Sequence, residues 1–435
     1  MATYKPVSAV EVRLWDRRVG AVALDPRLGY YAFEYDPAFV RQGIEIAPLT
    51  LPLAQADAPF VFTDLPTATF KRLPAMLADA LPDDFGNALI DAWMAGKGIA
   101  RDAITPLDRL AYMGRRGTGA LEFRPVRGPQ AASHTAIKLG KLVESARLAV
   151  QGQLDTDPQA HAALAQLTQV GTSAGGARAK AAIAWNPASN EIRAGQFDAD
   201  PGFEHWLLKF DGMGADRELG ASQDYGRIEY AYHLMARAAG IEMSPCRLLE
   251  EGGRAHFMTR RFDRALDAEG KTVKHHLQSL CAMAHLDYKQ KATHDYAQLL
   301  QAIQRLKLGH EALAEAFRRM VFNIVAANCD DHTKNFAFLL PAGSREWRLS
   351  PAYDLTHAYN PQGEWTYQHL MGVGGKFAAI TRNDLLHLAD RYAIGPAPKI
   401  IDKVQDAVAD WPKFAEQAGL ARDTVHAVAA DFRAL

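Results

Sequence analysis

The chain has 435 residues, of which 48% are hydrophobic and 23% charged, with a formal net charge of −1. This excludes a disordered chain and a chain-wide basic footprint for nucleic acid, and the length predicts two or three domains at roughly 150 residues each. The Met1–Pro6 stretch lacks the apolar core of a secretory signal, and no apolar run reaches the roughly 18 residues of a bilayer span, so a soluble cytoplasmic protein with no membrane partner is expected.

The segment from Val10 to Leu53 alternates short apolar runs with turn residues. Val10–Trp15, Gly20–Leu24 and Tyr30–Tyr35 read as strands of a small sheet. From Leu73 to Gly96 the apolar residues Met76, Leu77, Leu81, Leu89, Ile90 and Trp93 recur at helical spacing. A glycine-rich turn at Gly114–Gly119 precedes a short strand, Ala120–Phe123. Residues 126–170 read as a linker followed by a short helix. Strands are predicted at Lys180–Trp185, His205–Phe210 and Ala255–Phe262, and a helix over Tyr225–Ala239. From His276 onward the chain is expected to be mostly helical. Cys246, Cys281 and Cys329 are widely spaced with no CxxC pair, which predicts buried free thiols rather than a zinc site or a disulfide framework.

The densest polar segment is Asn328–Asn335. It follows an apolar helical stripe (Leu313, Phe317, Met320, Val321, Ile324) and precedes the apolar strand Phe336–Leu340. A loop held between two packed elements is rigid enough to position reacting groups. Asp330 and Asn335 stand five residues apart. Protein kinases use that offset for a base that accepts the substrate hydroxyl proton and for a metal-ligating amide oxygen. Lys334 between them can neutralise a transferring phosphoryl group. Asp354 ends the strand-like stretch Arg348–Asp354 and supplies a second hard oxygen ligand of the kind magnesium takes. Spacing alone leaves a solvated acidic turn open for Asp330.

Three weaker signals lie upstream. Gly171–Lys180 is rich in small residues that let backbone N–H groups approach phosphates, although it is neither GxGxxG nor a P-loop and a plain turn uses the same residues. Lys209 sits in an apolar strand, and Glu229 on the following helix is its candidate partner. An exposed strand lysine and a solvated helix glutamate remain the alternatives. Arg260–Arg261–Phe262 ends a strand that can offer its backbone to adenine, with Phe262 over the base.

In combination these segments resemble the HipA family of toxin kinases. Ser173–Lys180 is similar to the family's phosphate loop, Leu207–Lys209 to its ATP-lysine strand, Arg261–Arg264 to its RFDR hinge, Asp330–Asn335 to its D-x-H-x-K-N loop and Pro351–Asp354 to its P-x-Y-D metal segment. Val19–Gly20, Pro48–Leu53 and Leu81–Asp83 resemble the family's N-terminal half. The resemblance implies Asp330 as catalytic base, Lys334 as a catalytic cation, and Asn335 and Asp354 as Mg2+ ligands. It implies ATP contacts at Gly175, Gly176, Ala177, Arg178, Ala179, Lys180, Lys209, Arg260, Arg261, Phe262, His332, Lys334, Asn335, Tyr353 and Asp354, with Glu229 supporting Lys209. It implies inhibitory autophosphorylation at Ser173, with Thr172 as the neighbouring hydroxyl. Departures fall at Arg178–Ala179, at Arg260 and at Asp331, which has no assigned role.

The fold class so implied is α+β. A two-lobed protein-kinase-like core has a small β-rich lobe at 171–265 and a helical lobe at 266–435, joined through 126–170 to an N-terminal α/β subdomain at 1–125. The expected activity is ATP-dependent serine/threonine protein phosphorylation. The implied target is an aminoacyl-tRNA synthetase, and the implied partner a small DNA-binding antitoxin through which any DNA contact runs. The alternatives are a nucleotide-binding regulatory partner of such an antitoxin and a small-molecule phosphotransferase.

Overall fold

The computed structural model describes residues 4–82, 84–128, 137–142, 145, 179–211 and 224–435. The chain divides into two compact units, each assembled from separate stretches. The first comprises Met1–Met213, Arg260–Gln278 and Leu339–Glu346, and the second Gly214–Thr259, Ser279–Phe338 and Trp347–Leu435.

In the first unit, β1 (Ala9–Leu14), β2 (Arg17–Asp25), β3 (Tyr30–Tyr35) and β4 (Leu121–Arg124) form an antiparallel sheet in the order β3-β2-β1-β4. Val10, Val12 and Leu14 alternate onto the buried face of β1, as a strand period of two requires. Trp15 and Asp16 both take positive φ, which makes the tight β1–β2 turn with the twist hairpins need. Gly20 is fixed by contact: a Cβ there would lie 2.1 Å from the Glu34 carbonyl oxygen. Beside this sheet run helices α1 (Ala75–Asp79), α2 (Asp84–Ala95) and α3 (Pro106–Met113). A Thr105–Asp108 capping box starts α3, and Asp108 also accepts from the Val7 N–H at 2.9 Å.

A second antiparallel set places β5 (Lys180–Trp185) between β6 (Ile192–Ala194) and β7 (Glu204–Lys209). All six residues of β5 are buried. A small hairpin, Arg264–Leu266 with Thr272–Lys274, follows the hinge residues.

The second unit contains α4 (Tyr225–Ala238), the antiparallel pair β8 (Cys246–Glu251) and β9 (Arg254–Arg260), and the helices α5 (Tyr296–Arg305) and α6 (Gly309–Val325). Helices α7 (Arg382–Arg391), α8 (Ala397–Ala409) and α9 (Trp411–Gln417) follow. The apolar stripe of α6 buries Leu313, Phe317, Met320, Val321 and Ile324. Tyr232 of α4 meets Trp411 and Phe322 edge-on at 5.5 and 6.0 Å between ring centres. Cys246, Cys281 and Cys329 are buried and free.

Two expectations need correction. A strand at His276–Ser279 interrupts the helical region expected from His276 onward, while those at Ala337–Leu340 and Arg348–Leu349 fall on the expected strand stretches. Strands β6 and β8 have no counterpart in the sequence reading. β6 alternates Ile192, Arg193 and Ala194 but is only three residues long, and β8 (Cys-Arg-Leu-Leu-Glu-Glu) shows no period-two apolar pattern. The helix expected within 146–170 lies outside the described residues.

Candidate functional site

The polar loop Asn328–Asn335 is anchored at every turn. Where α6 ends, Ala327 takes a positive φ and the Asn328 N–H returns to the Asn323 carbonyl at 2.9 Å. The Asn328 side chain donates to Asn323 Oδ1 at 2.9 Å. Cys329 N–H donates to the Ala358 carbonyl at 3.1 Å, and Ala358 N–H to that of Ala327 at 3.2 Å. The Thr333 hydroxyl donates to the Leu286 carbonyl at 2.7 Å. A loop so held presents its remaining side chains with little freedom, as a reacting site requires.

Those side chains are the predicted ones. The Asp330 side chain is 48% exposed, and His332 Nε2 lies 3.6 Å from its Oδ1. Asn335 donates its Nδ2 to the Asp330 carbonyl at 2.6 Å, so Oδ1 is the atom available to a cation. The Tyr353 hydroxyl donates to the Lys334 carbonyl at 2.7 Å and ties the Pro351–Asp354 segment to the loop. Ala352 N–H donates to the Glu242 carbonyl at 2.8 Å, and Asp354 follows with a φ of 55°. A non-glycine residue in the left-handed region is strained, and such strain gathers at functional sites. Asn335 and Asp354 together offer hard oxygen donors. Among the described residues there is no group of three or more His, Cys, Asp or Glu that would hold a metal alone. Such a donor set fits magnesium, which takes few protein ligands and completes its shell with phosphate oxygens and water.

The loop also contains what the sequence reading missed. Asp331 is fully buried, and its Oδ2 accepts from the Tyr296 hydroxyl at 2.7 Å and from His369 Nδ1 at 2.9 Å. Its Oδ1 accepts from the N–H groups of Leu370 and Met371 at 2.7 and 3.3 Å. Burial works against a charged His369, but the Asp331 carboxylate overrides it and raises the pKa to about 10. Tyr288 stacks near His332 at 5.3 Å and lies 5.0 Å from Lys334 Nζ. His369 stands 38 residues along the chain from Asp331, so no local pattern could announce it. The second acid beside Asp330 was the one available clue.

The remaining predicted residues divide between the units. Glu229 is buried on α4 of the second unit. In the first unit, Lys180 and Lys209 are direct cross-strand partners on β5 and β7. Directly opposed residues share a sheet face, so the two lysines stand side by side. The sequence reading made Lys209 the buried lysine; Lys180 is the buried one, at 2% exposure, and Lys209 is half-buried. Ala179 is buried beside it.

At the hinge, Arg260 is exposed and 3.6 Å from Glu204, and Phe262 is half-buried. The Arg261 guanidinium is turned to Asp263, donating to both carboxylate oxygens at 2.9 and 2.7 Å, while its N–H donates to the His205 carbonyl at 2.9 Å. Arg264 donates to Asp263 at 2.8 Å and to the carbonyls of Gly117 and Gly119 at 2.9 Å each. The Asp263 carboxyl is buried, but its two arginines hold it far below the ordinary carboxylate range. The RFDR segment therefore spends Arg261 and Arg264 on structure. Thr172, Ser173, Gly175, Gly176, Ala177 and Arg178 lie outside the described residues.

Comparison with known proteins concerns the domains and the fold. Residues 172–431 match the HipA-like C-terminal domain and residues 10–124 the HipA N-terminal domain. Two curated relatives come from Sinorhizobium fredii (strain NBRC 101917 / NGR234). "Putative kinase Y4dM" is 27% identical over 43% of this chain and 48% of its own length. "Putative kinase Y4mE" is 24% identical over 28% of this chain and 30% of its own. The matches thus span at most about half the length of these relatives. Among solved structures, HipA of the Shewanella oneidensis MR-1 toxin–antitoxin system, in complex with HipB and its operator DNA, superposes with a TM-score of 0.64. The identity is 16%, over 97% of this chain and 94% of that one, a likeness that shows the shared α+β, kinase-like fold. With both family domains matched in order along its length, the chain belongs to the HipA family.

Proposed function

We propose that the chain is an ATP-dependent serine/threonine protein kinase of the HipA toxin type. The observation that carries this reading is the pair of adjacent acids in the anchored loop: Asp330 reaches solvent while Asp331 is fully buried. An exposed carboxylate on a rigid loop suits a base that meets an incoming hydroxyl. Asn335 Oδ1 and Asp354 would hold Mg2+, which would supply charge neutralisation to the nucleotide phosphates. Lys180 and Lys209 receive phosphate oxygens from ATP, and Lys334 balances the transferring group. Arg260 to Phe262 line the adenine, with the Arg261 side chain and N–H engaged by Asp263 and the His205 carbonyl. Ser173 is the site of inhibitory autophosphorylation, because a phosphate there adds about −1.5 to −2 charges where ATP phosphates sit.

The acceptor is a hydroxyl on a cellular protein, with an aminoacyl-tRNA synthetase as the family-implied target and slowed translation as the consequence. The partner is a small DNA-binding antitoxin, as the HipB–operator complex of the Shewanella relative suggests. The cytoplasm is the proposed location, and among the described residues no helix is long and apolar enough to cross a membrane. Incubation with radiolabelled ATP and Mg2+, alone and in a cell lysate, followed by mass spectrometry, tests the reading. Label at Ser173 and on a lysate protein, lost in Asp330→Asn, supports it. Nucleotide binding without protein label points instead to a regulatory partner of an antitoxin, and label on a metabolite alone to a small-molecule phosphotransferase.

A further inference from the structure

Asp331 is the one fully buried carboxylate of the polar loop, and its four acceptor positions are all filled. Two of its donors are backbone N–H groups, Leu370 and Met371, and two are side chains, Tyr296 and His369. These partners belong to different parts of the second unit. Tyr296 opens α5, and its hydroxyl also accepts from Asn323 Nδ2 on α6 at 3.0 Å. Leu370 and Met371 lie downstream of Asp354, where Met371–Gly372 forms a short parallel pairing with His294–Asp295. His369 closes the ring, with its Nε2 3.9 Å from Cys329 Sγ at the start of the same loop.

We propose that Asp331 is a positioning residue for phosphoryl transfer: it locks the backbone that carries Asp330 to the segment 369–371, so that the base and the chain downstream of the metal ligand move as one piece. The inference rests on the kinase reading of Asp330. Asp331 itself does not touch the reactants. Its chain neighbour cannot shift by a rotamer's width without straining bonds to helix α5 and to the segment 369–371. A displacement of about 1 Å at a reacting group can lower a rate by about a hundredfold.

Asp331→Asn is the discriminating change. The amide keeps the shape, but its nitrogen donates, so it cannot accept at both ends. With the amide oxygen kept by the Tyr296 hydroxyl and the His369 ring N–H, the amide nitrogen faces Leu370 and Met371, which lose their acceptor. Autophosphorylation by Asp331→Asn should be slowed at least tenfold in kcat, with the KM for ATP changed less than twofold. Hydrogen exchange at the Leu370 and Met371 amides should quicken, while that along α6 stays as in the wild type. His369→Gln removes the ring and leaves the backbone donors, so an intermediate rate loss is expected.

Wild-type kcat in Asp331→Asn, beside an inactive Asp330→Asn, would overturn the proposal and leave the kinase reading standing. Unchanged exchange at Leu370 and Met371 would also overturn it. An inactive wild type would remove the kinase reading, and exchange alone would then decide whether the lock exists. Should Asp331→Asn fail to fold, Tyr296→Phe takes its place. It removes one of the four donors, and an unaltered kcat together with unaltered exchange in that variant counts against the lock.

Discussion

The carboxylates of Asp330 and Asp331 leave adjacent α-carbons and end in opposite surroundings, the first 48% exposed and the second fully buried. The division of labour follows from solvation. The exposed acid has room for a substrate, and the buried one requires donors on every side. Asp330→Asn is therefore expected to lower phosphoryl transfer by about 10²–10⁴-fold, the usual contribution of a general base. Its thermal midpoint should fall little, because half of the Asp330 side chain stands in solvent. Transfer assays beside a melting curve check both halves.

The buried pair makes stability depend on pH. His369 has an ordinary pKa of 6.5 that is raised to about 10 in the folded chain. A raised pKa contributes stability in full below the unfolded value and loses it as pH climbs through the folded one. Urea unfolding should thus show stability falling from about pH 6.5 towards pH 10, and His369→Gln should flatten that fall. A His369→Gln curve that falls as steeply as the wild type would show that other groups set it.

Asp263 lies between Arg261 and Arg264 and accepts from both, with all three side chains buried. Removing it strands two guanidinium groups in a low-dielectric site. Asp263→Ala should cost about 3–5 kcal/mol, the range found when one partner of a buried ion pair is deleted. Scanning calorimetry measures the loss. The site chemistry of Asp330 is not touched by this change, so residual activity at low temperature is expected to persist in the folded fraction.

Gly226 gives a substitution whose sign is reversed by contact. Glycine to alanine inside a helix ordinarily gains about 1 kcal/mol. At Gly226 of α4, however, an added Cβ would lie 2.0 Å from the Ala255 carbonyl oxygen. Gly226→Ala is expected to destabilise by about 1–3 kcal/mol as the helix is pushed off its neighbour. Glu229 lies one turn further along the same helix and should shift with it. Chemical denaturation reads the first effect, and ATP affinity the second.

Much of this was legible in the sequence because local patterns carry it. The alternation of Val10, Val12 and Leu14 marks a strand, and the stripe from Leu313 to Ile324 marks α6. The Asp330 to Asn335 spacing was legible for the same reason, since both residues sit on one short loop. What escaped depends on distant partners. Nothing around Arg261 and Arg264 says that they close on Asp263 and on glycine carbonyls about 145 residues earlier. The lysine on β7 was taken as the buried one because its neighbours are apolar, but cross-strand pairing placed Lys180 deeper. Asp331 had no assigned role because three of its four donors come from residues 369–371.

The hinge knot also has a consequence for how the protein is made. Arg264 completes its bonds on Gly117 and Gly119, and the same unit takes its last stretch from Leu339–Glu346. The first sheet leaves the ribosome long before those pieces exist. At 5–20 residues per second, synthesis from residue 128 to residue 346 lasts on the order of ten seconds or more. Until Arg264 is made the nascent N-terminal half waits with its hinge contacts unmade, and until Glu346 is made its unit lacks its last stretch.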